Sequence, residues 1–363
     1  MNAVGFAIIA FMLAAYVLLD GYDLGVATIS PLVARSDAER ATSMRIIGPF
    51  WNGNEVWLIA AGAVLFALFP RAYASSFSGF YLPLIVVLWL FMFRGIALEL
   101  RGHFPSEIWH QFWDFCFSAS SALLILVFGV AIGNLLRGVP LDANGYFQGT
   151  FAFLLNPYAL LVGLFAIVTL AQHGAAFLWM RADGPPADRA KTLMKPLWIA
   201  AVLLYLLVTG VTFGMHGMGP DFGIVVVMAP ISLASLMLMH MQTSRQSASG
   251  TFYSSCVFVV SLMVAAAGTL YPYLLPAFPA SYGGISIYDS PPTALLTRIL
   301  VIVAGLTLVI AYGTFAVRRM SGKVPAGSKI PVYRLEEEPV RPSVHEEESY
   351  VPLPADPPTK YLS

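Results

Sequence analysis

The sequence is poor in charged residues and in cysteine. Only 11% of its 363 residues are charged, whereas soluble domains carry about 25%. The 20 acidic and 20 basic residues balance, so no basic field exists to attract nucleic acid, and nucleic-acid binding is excluded. The two cysteines, Cys116 and Cys256, stand singly. The sequence therefore has no Cys-x-x-Cys pattern for zinc, an iron–sulfur cluster or covalently attached haem.

Apolar residues, in contrast, make up 58% of the chain, and they form nine stretches long enough to cross a bilayer. This pattern predicts an all-α polytopic membrane protein with about nine transmembrane helices. The first stretch follows no basic region, so it is predicted to be a span and not a cleaved signal peptide. The predicted spans are 3–30, 52–70, 77–99, 113–136, 154–179, 196–216, 222–242, 251–275 and 293–317.

Lysine and arginine are divided unequally between the two sides of these spans. One side has only Arg71 and Arg137. Because positive charge marks cytoplasmic loops, the N-terminus is predicted to lie outside and the C-terminus in the cytoplasm. The twelve basic residues of the other side are Arg35, Arg40, Arg45, Arg101, Arg181, Arg189, Lys191, Lys195, Arg245, Arg318, Arg319 and Lys323.

We expect the nine spans to form two four-helix bundles plus one peripheral helix.

The composition changes abruptly after the last span. Residues 1–317 are predicted to form the transmembrane helical domain. Residues 318–363 are rich in proline and contain two glutamate triplets, so they cannot bury an apolar face. This segment is predicted to be a disordered cytoplasmic tail.

Several polar residues interrupt the apolar stretches, and the predicted orientation places them at one depth. A charge at the centre of a membrane helix costs roughly 2.5–3.5 kcal/mol, so each is a candidate functional residue. Asp20 and Asp23 are three apart, as are Asn52 and Glu55, so each pair is predicted to share a helix face. The first span is long and contains the Asp-Gly-Tyr-Asp break at residues 20–23, so it is predicted to be tilted or kinked. The remaining members of this cytoplasmic layer are Arg94, Glu99 and His173.

Acids outnumber bases in this layer. Asp20, Asp23, Glu55 and Glu99 face one intramembrane base, Arg94. One arginine can neutralise one or two carboxylates, so the rest must be in contact with water or protonated. Carboxyls in that state can relay protons. The alternative is that these groups have no role in proton transfer and only pin helices together or extend to the interface. If Asp23 and Arg94 are neighbours, the guanidinium lowers the cost of ionising Asp23.

His173 is the one histidine of six that lies well inside a predicted span, whereas His216 and His240 lie at span ends. No second histidine obviously faces it, so we expect no haem and no metal bound by side chains of this chain. Trp57 fits an interfacial aromatic belt as well as a functional site.

Residues 20–26 (Asp-Gly-Tyr-Asp-Leu-Gly-Val) and 48–59 (Gly-Pro-Phe-Trp-Asn-Gly-Asn-Glu-Val-Trp-Leu-Ile) carry a resemblance to a known family. Together they resemble subunit II of cytochrome bd-type terminal quinol oxidases. Four further segments resemble the same family in the same order, and the resemblance extends from residue 1 to about 318. These segments are 77–81, 93–95, 133–140 and 173–175.

The resemblance implies a heterodimer with subunit I, in the cytoplasmic (inner) membrane of a bacterium. Subunit I would carry the haems, b and d or three of b type, and the complex would oxidise quinol and reduce dioxygen to water without pumping protons. It also implies that the second subunit supports its partner and lines proton or oxygen paths. A structural quinone and small single-helix accessory subunits are compatible with the family.

Matching the motifs makes Asp23, Trp57, Arg94 and Glu99 candidates for those paths. The family often has aspartate where this chain has Asn52, which cannot ionise. Glu55, one turn further on, can take its place, or the route can run wholly through subunit I. A secondary transporter and a quinone-binding membrane anchor of a dehydrogenase are the alternative functions. The first would need paired broken helices, and the second would favour paired histidines.

Overall fold

The structure is a computed structural model that describes residues 2–216, 223–280, 283–289 and 295–320. Within these ranges the chain is almost entirely helical, with one small antiparallel hairpin and a 3-10 turn at Ile287–Asp289. The elements are α1 Asn2–Val33, α2 Asp37–Ile47, α3 Trp51–Leu68, α4 Pro70–Gly79, α5 Tyr81–Leu100, α6 Glu107–Arg137, α7 Phe151–Leu154, α8 Pro157–Arg181, α9 Pro185–His216, α10 Gly223–Ser244, α11 Ala248–Leu270, β1 Tyr273–Pro276, β2 Gly284–Ser286 and α12 Leu295–Met320.

The prediction of a polytopic helical membrane protein is confirmed. Among the described residues, eight helices are long and apolar enough to cross a bilayer. The second predicted span, 52–70, corresponds to α3, a helix of 18 residues whose first turn is polar. The side of the membrane on which each terminus lies, and the grouping into two bundles, stay predictions.

Several predicted boundaries are wrong. The span predicted at 251–275 ends at Leu270, because the prolines at 272 and 276 cannot continue a helix and the chain turns into β1. The segment 77–99 divides at Phe80 into the end of α4 and the start of α5. In the tail, residues 318–320 belong to α12, and residues 321–363 lie outside the described residues.

Helix α1 lies at the centre of the packing. It contacts α3, α6, α8 and α11, whereas α12 packs chiefly on α3. The predicted kink does not interrupt α1, which stays helical from Asn2 to Val33. Residues 20–27 are all buried, so both carboxyls of this helix are held inside the protein.

Two glycines allow α1 and α8 to cross with their backbones in contact. A Cβ atom at Gly25 would overlap the carbonyl oxygen of Leu170, and one at Gly174 would overlap the backbone of Gly25 and Val26. Small residues at crossings of this kind let membrane helices approach closely, and the gain comes from dispersion and backbone contact. The crossing also sets the depth of the neighbouring Asp23 and His173.

Replacing Gly25 with alanine should therefore destabilise the protein. The added methyl group has no space and must separate the helices, at a cost of about 1–3 kcal/mol or more. We expect a lower thermal unfolding midpoint and poor assembly in detergent. Gly62→Ala on α3 is the matched control, because a Cβ there meets nothing within 4 Å. Equal midpoints for the two variants would contradict the packing argument.

Candidate functional site

The buried Arg94 guanidinium organises a group of polar side chains on α1, α3 and α5. Its Nη2 donates to Asp20 Oδ1 at 2.7 Å, and its Nη1 donates to Glu55 Oε1 at 2.6 Å. The side chains of Arg94 and Asp20 are fully buried, whereas that of Glu55 is 19% exposed. Arginine suits this position because its planar fork can satisfy two carboxylates at once.

Asp23 lies one turn after Asp20 but has a different partner. Asn54 Nδ2 donates to Asp23 Oδ2 at 2.7 Å and to the Tyr22 hydroxyl at 3.1 Å. Asp23 is fully buried, and its second oxygen has no hydrogen-bond partner among the described residues. Asp23 does not bond directly to Arg94, because Asp20 and Glu55 already occupy the guanidinium.

We call Asp20, Asp23, Asn54, Glu55 and Arg94 the Arg94 cluster. It holds three carboxyls and one guanidinium, so the fully ionised cluster would carry two uncompensated negative charges. Unpaired buried charge is strongly unfavourable. The cluster must therefore hold protons or have access to water, and its one partly exposed member, Glu55, lies at its edge.

Two predicted site residues lie away from this cluster. Asn52 is exposed in the first turn of α3 and does not join Glu55. Asn52 and Asn54 are two positions apart, which is about 200° around a helix. Because Asn54 occupies the buried side of α3, Asn52 lies on the exposed side. Glu99 is also exposed, which agrees with its spacing of five residues from Arg94.

Sequence reasoning missed Asn54, although a signal for it was present. The buried positions of α3 repeat at intervals of three and four residues, and Asn54 begins this series. An apolar stripe read backwards from Leu68 would thus have placed Asn54, and not Asn52, inside the protein. The series is Asn54, Trp57, Ala61, Val64 and Leu68.

Trp57 and His173 are both buried, but neither touches the ion pairs. Trp57 packs edge-on against Phe11, with 6.0 Å between ring centroids. His173 lies between α1 and α11, where Nδ1 is 2.7 Å from Ser255 Oγ and Nε2 is 3.0 Å from the Leu18 carbonyl oxygen. Both ring nitrogens are therefore occupied by protein groups.

A second charged group, also missed from the sequence, surrounds Arg101 at the end of α5. Arg101 contacts Asp37 and Asp114 at 2.6 Å each, and it joins α2 to α6. Burial raises the pKa of the Asp37 carboxyl, but Arg101 and His110 lower it by more, so the net pKa is below its ordinary value. Arg40 also pairs with Asp114, so two arginines meet two aspartates in this group, which links α2 and α5 to α6.

No three histidine, cysteine, aspartate or glutamate side chains lie close enough to hold a metal ion, as far as the structure describes the chain. The Arg94 cluster brings three carboxyls and one guanidinium together between α1, α3 and α5.

Comparisons with known proteins identify the family of this chain. The family described as cytochrome bd terminal oxidase subunit II matches residues 1–320. The probable cytochrome oxidase subunit 2 of Haemophilus influenzae is 29% identical, with 88% of this chain and 94% of that protein covered. The cytochrome bd-I ubiquinol oxidase subunit 2 of Escherichia coli K12 is 27% identical, with 87% and 93% covered.

A third relative and a solved structure extend the agreement. The cytochrome bd ubiquinol oxidase subunit 2 of Bacillus subtilis is 28% identical over 76% of this chain and 93% of its own. A chain in the structure of bd oxidase from Geobacillus thermodenitrificans has the same fold, with a TM-score of 0.73 at 19% identity over 88% of this chain and 98% of that one.

These matches support the oxidase interpretation and not the transporter or the dehydrogenase anchor. The family match covers all the described residues, including the whole Arg94 cluster. The chain belongs to the cytochrome bd terminal oxidase subunit II family, and it is one subunit of a quinol oxidase complex, an oxidoreductase.

Proposed function

We propose that this chain stabilises a haem-bearing subunit I and supplies part of the proton route to the site of dioxygen reduction. The complex oxidises quinol and reduces dioxygen to water in the cytoplasmic membrane of a bacterium. The observation that supports this role is the Arg94 cluster, which places three carboxyls around one buried guanidinium. A cluster serving only to pin helices would need no more acids than the arginine can pair with.

The route begins at Glu55, the partly exposed member of the cluster. From there Arg94 links Glu55 to Asp20, and Asp23 follows one turn further along α1. Asn54 orients Asp23 through one oxygen and leaves the other available to accept a proton or a water molecule. Glu55 thereby takes the role that the non-ionisable and exposed Asn52 cannot have.

Glu99 is exposed and is not part of the route within this chain. It can contribute only if another subunit covers the surface of α5 on which it lies. The single-helix accessory subunits compatible with the family are one class of protein that could do so.

The haems of the complex belong to subunit I in this proposal. The residue best placed to hold one here would be His173, but its environment does not fit, because Ser255 and the Leu18 carbonyl occupy both ring nitrogens. His173 instead joins α8 to α1 and α11.

An apolar cavity of about 180 Å³ lies between α1, α6 and the helices α8 to α11. Its lining suits an apolar guest such as dioxygen or the isoprenoid chain of a structural quinone. The buried Thr169 hydroxyl, which belongs to the lining, has no hydrogen-bond partner among the described residues and can donate to a quinone carbonyl. Trp57 lies outside this lining, so we assign it to packing against Phe11.

Removing Arg94 should prevent normal assembly. Arg94→Ala leaves Asp20 and Glu55 without their partner, and breaking a buried pair in this way costs about 3–5 kcal/mol. We expect reduced haem content in the purified complex and a lower unfolding midpoint. Arg71→Ala is the matched control, because Arg71 forms a half-exposed ion pair with Asp289 and such pairs contribute about 1 kcal/mol or less. Full haem content in Arg94→Ala would argue against the cluster as a structural centre.

Replacing Asp23 with asparagine should separate the proton role from the structural one. The asparagine oxygen can still accept the hydrogen bond from Asn54, so the complex should assemble with full haem content. Loss of a titrating carboxyl should slow quinol-driven oxygen consumption in proteoliposomes by roughly tenfold or more. Asn52→Asp is the control, because an exposed acid in the first turn of a helix is well tolerated. Unchanged turnover in Asp23→Asn would leave Asp23 a structural residue only.

The assignment of all haems to subunit I can be tested on His173. The His173→Ala complex should keep the haem-to-protein ratio of the wild type wherever it assembles, and the chain expressed alone should show no Soret absorption. His173→Gln, which can hydrogen-bond to both neighbours, serves as a second variant if alanine impairs folding. Loss of one stoichiometric haem from an assembled His173→Gln complex would contradict the assignment.

A further inference from the structure

A second cavity, separate from the Arg94 cluster, opens between α8, α9 and α10. Its volume is about 130 Å³. Much of the wall is apolar, and it includes Met194, Trp198 and Met239. The polar lining residues are Gln172, Lys195, His240, Thr243 and Ser244. We call this cavity the Gln172 pocket.

Gln172 is the unusual member of the lining. Its side chain is 1% exposed, and neither Oε1 nor Nε2 has a hydrogen-bond partner among the described residues. Buried polar groups are nearly always paired, and each unpaired one is costly. An amide with both a donor and an acceptor free calls for an occupant that offers an acceptor and a donor at once.

The one formally charged side chain of the lining, that of Lys195, indicates the charge of that occupant. Lys195 and His240 are exposed, and no ion pair joins Lys195 to an acid in the part of the chain that the structure describes. The His240 ring lies 4.5 Å from the Trp198 ring, and Trp198 Nε1 is already committed to the Leu236 carbonyl. No aspartate or glutamate lines the pocket, so the site favours an anion.

The position of the pocket along the helices indicates the source of the anion. Lys195 directly precedes the apolar part of α9, and His240 lies one turn before the end of α10. Lysines at such boundaries lie at the depth of lipid headgroups. The methionines and the tryptophan then lie alongside the glycerol and upper acyl region of a lipid.

We propose that the Gln172 pocket binds the headgroup of an anionic phospholipid whose phosphate is joined to a hydroxyl-bearing group, such as phosphatidylglycerol. The phosphate oxygens accept from Gln172 Nε2 and Lys195, and a headgroup hydroxyl donates to Gln172 Oε1. The bound lipid fills the space where α8, α9 and α10 meet, and it satisfies an amide that otherwise stays unpaired.

The test uses the whole oxidase complex, freed of lipid by detergent exchange and titrated with phosphatidylglycerol under native mass spectrometry. Wild type should take up one tightly held lipid that Gln172→Leu binds about tenfold more weakly, since hydrogen bonds to a charged group are among the strong ones. Lys195→Ala should weaken binding as well. Lys191→Ala, one turn earlier on α9 and outside the pocket lining, should not.

Haem content measured in parallel shows whether each variant assembles. If Gln172→Leu does not assemble, Lys195→Ala decides the matter, because Lys195 is exposed and its loss leaves the fold intact. Equal lipid binding by wild type and Lys195→Ala would overturn the proposal, as would equal affinity for phosphatidylcholine, which has no hydroxyl and brings a cation towards Lys195. Occupation by inorganic phosphate with no lipid uptake would show a free-anion site instead.

Discussion

The pairing of Arg94 with two carboxylates is the interaction on which the arrangement of α1, α3 and α5 depends. An arginine inside a bilayer-spanning helix is tolerated only when its charge is matched and its donors are satisfied. Asp20 comes from α1 and Glu55 from α3, so satisfying the guanidinium fixes the rotation of both helices relative to α5. Other arrangements of these helices would leave a charge unpaired.

The same interaction explains the position of the Asp23 carboxyl. Once Asp20 faces Arg94, Asp23 must lie one turn further along the buried side of α1, where Asn54 of α3 reaches it. The close crossing of α1 and α8 through Gly25 and Gly174 then shields Asp23 from the other side. A carboxyl with one oriented oxygen and one free oxygen is the consequence, and this geometry suits proton transfer better than simple helix pinning.

The Gln172 pocket illustrates a different principle. In the Arg94 cluster the guanidinium pairs with acids of the same chain, Asp20 and Glu55. Gln172 has no such partner among the described residues, and its surroundings combine Lys195 with apolar side chains. A site of this composition at the edge of a membrane domain is complementary to lipid, whose headgroup and acyl chains meet at the same depth.

The sequence by itself determined the class of the protein, the approximate spans and the membership of Asp20, Glu55 and Arg94 in one polar layer. Hydropathy and the cost of buried charge are properties of composition and order along the chain, so they can be read without coordinates. The family, too, followed from short motifs whose residues are contiguous. Tertiary structure alone decided which acids face Arg94, that Glu99 is exposed, and that Gln172 lies unpaired at a pocket. These outcomes depend on the rotation of each helix about its axis, which is set by close contacts such as Gly25 against Gly174, and no single helix carries that information in its own sequence.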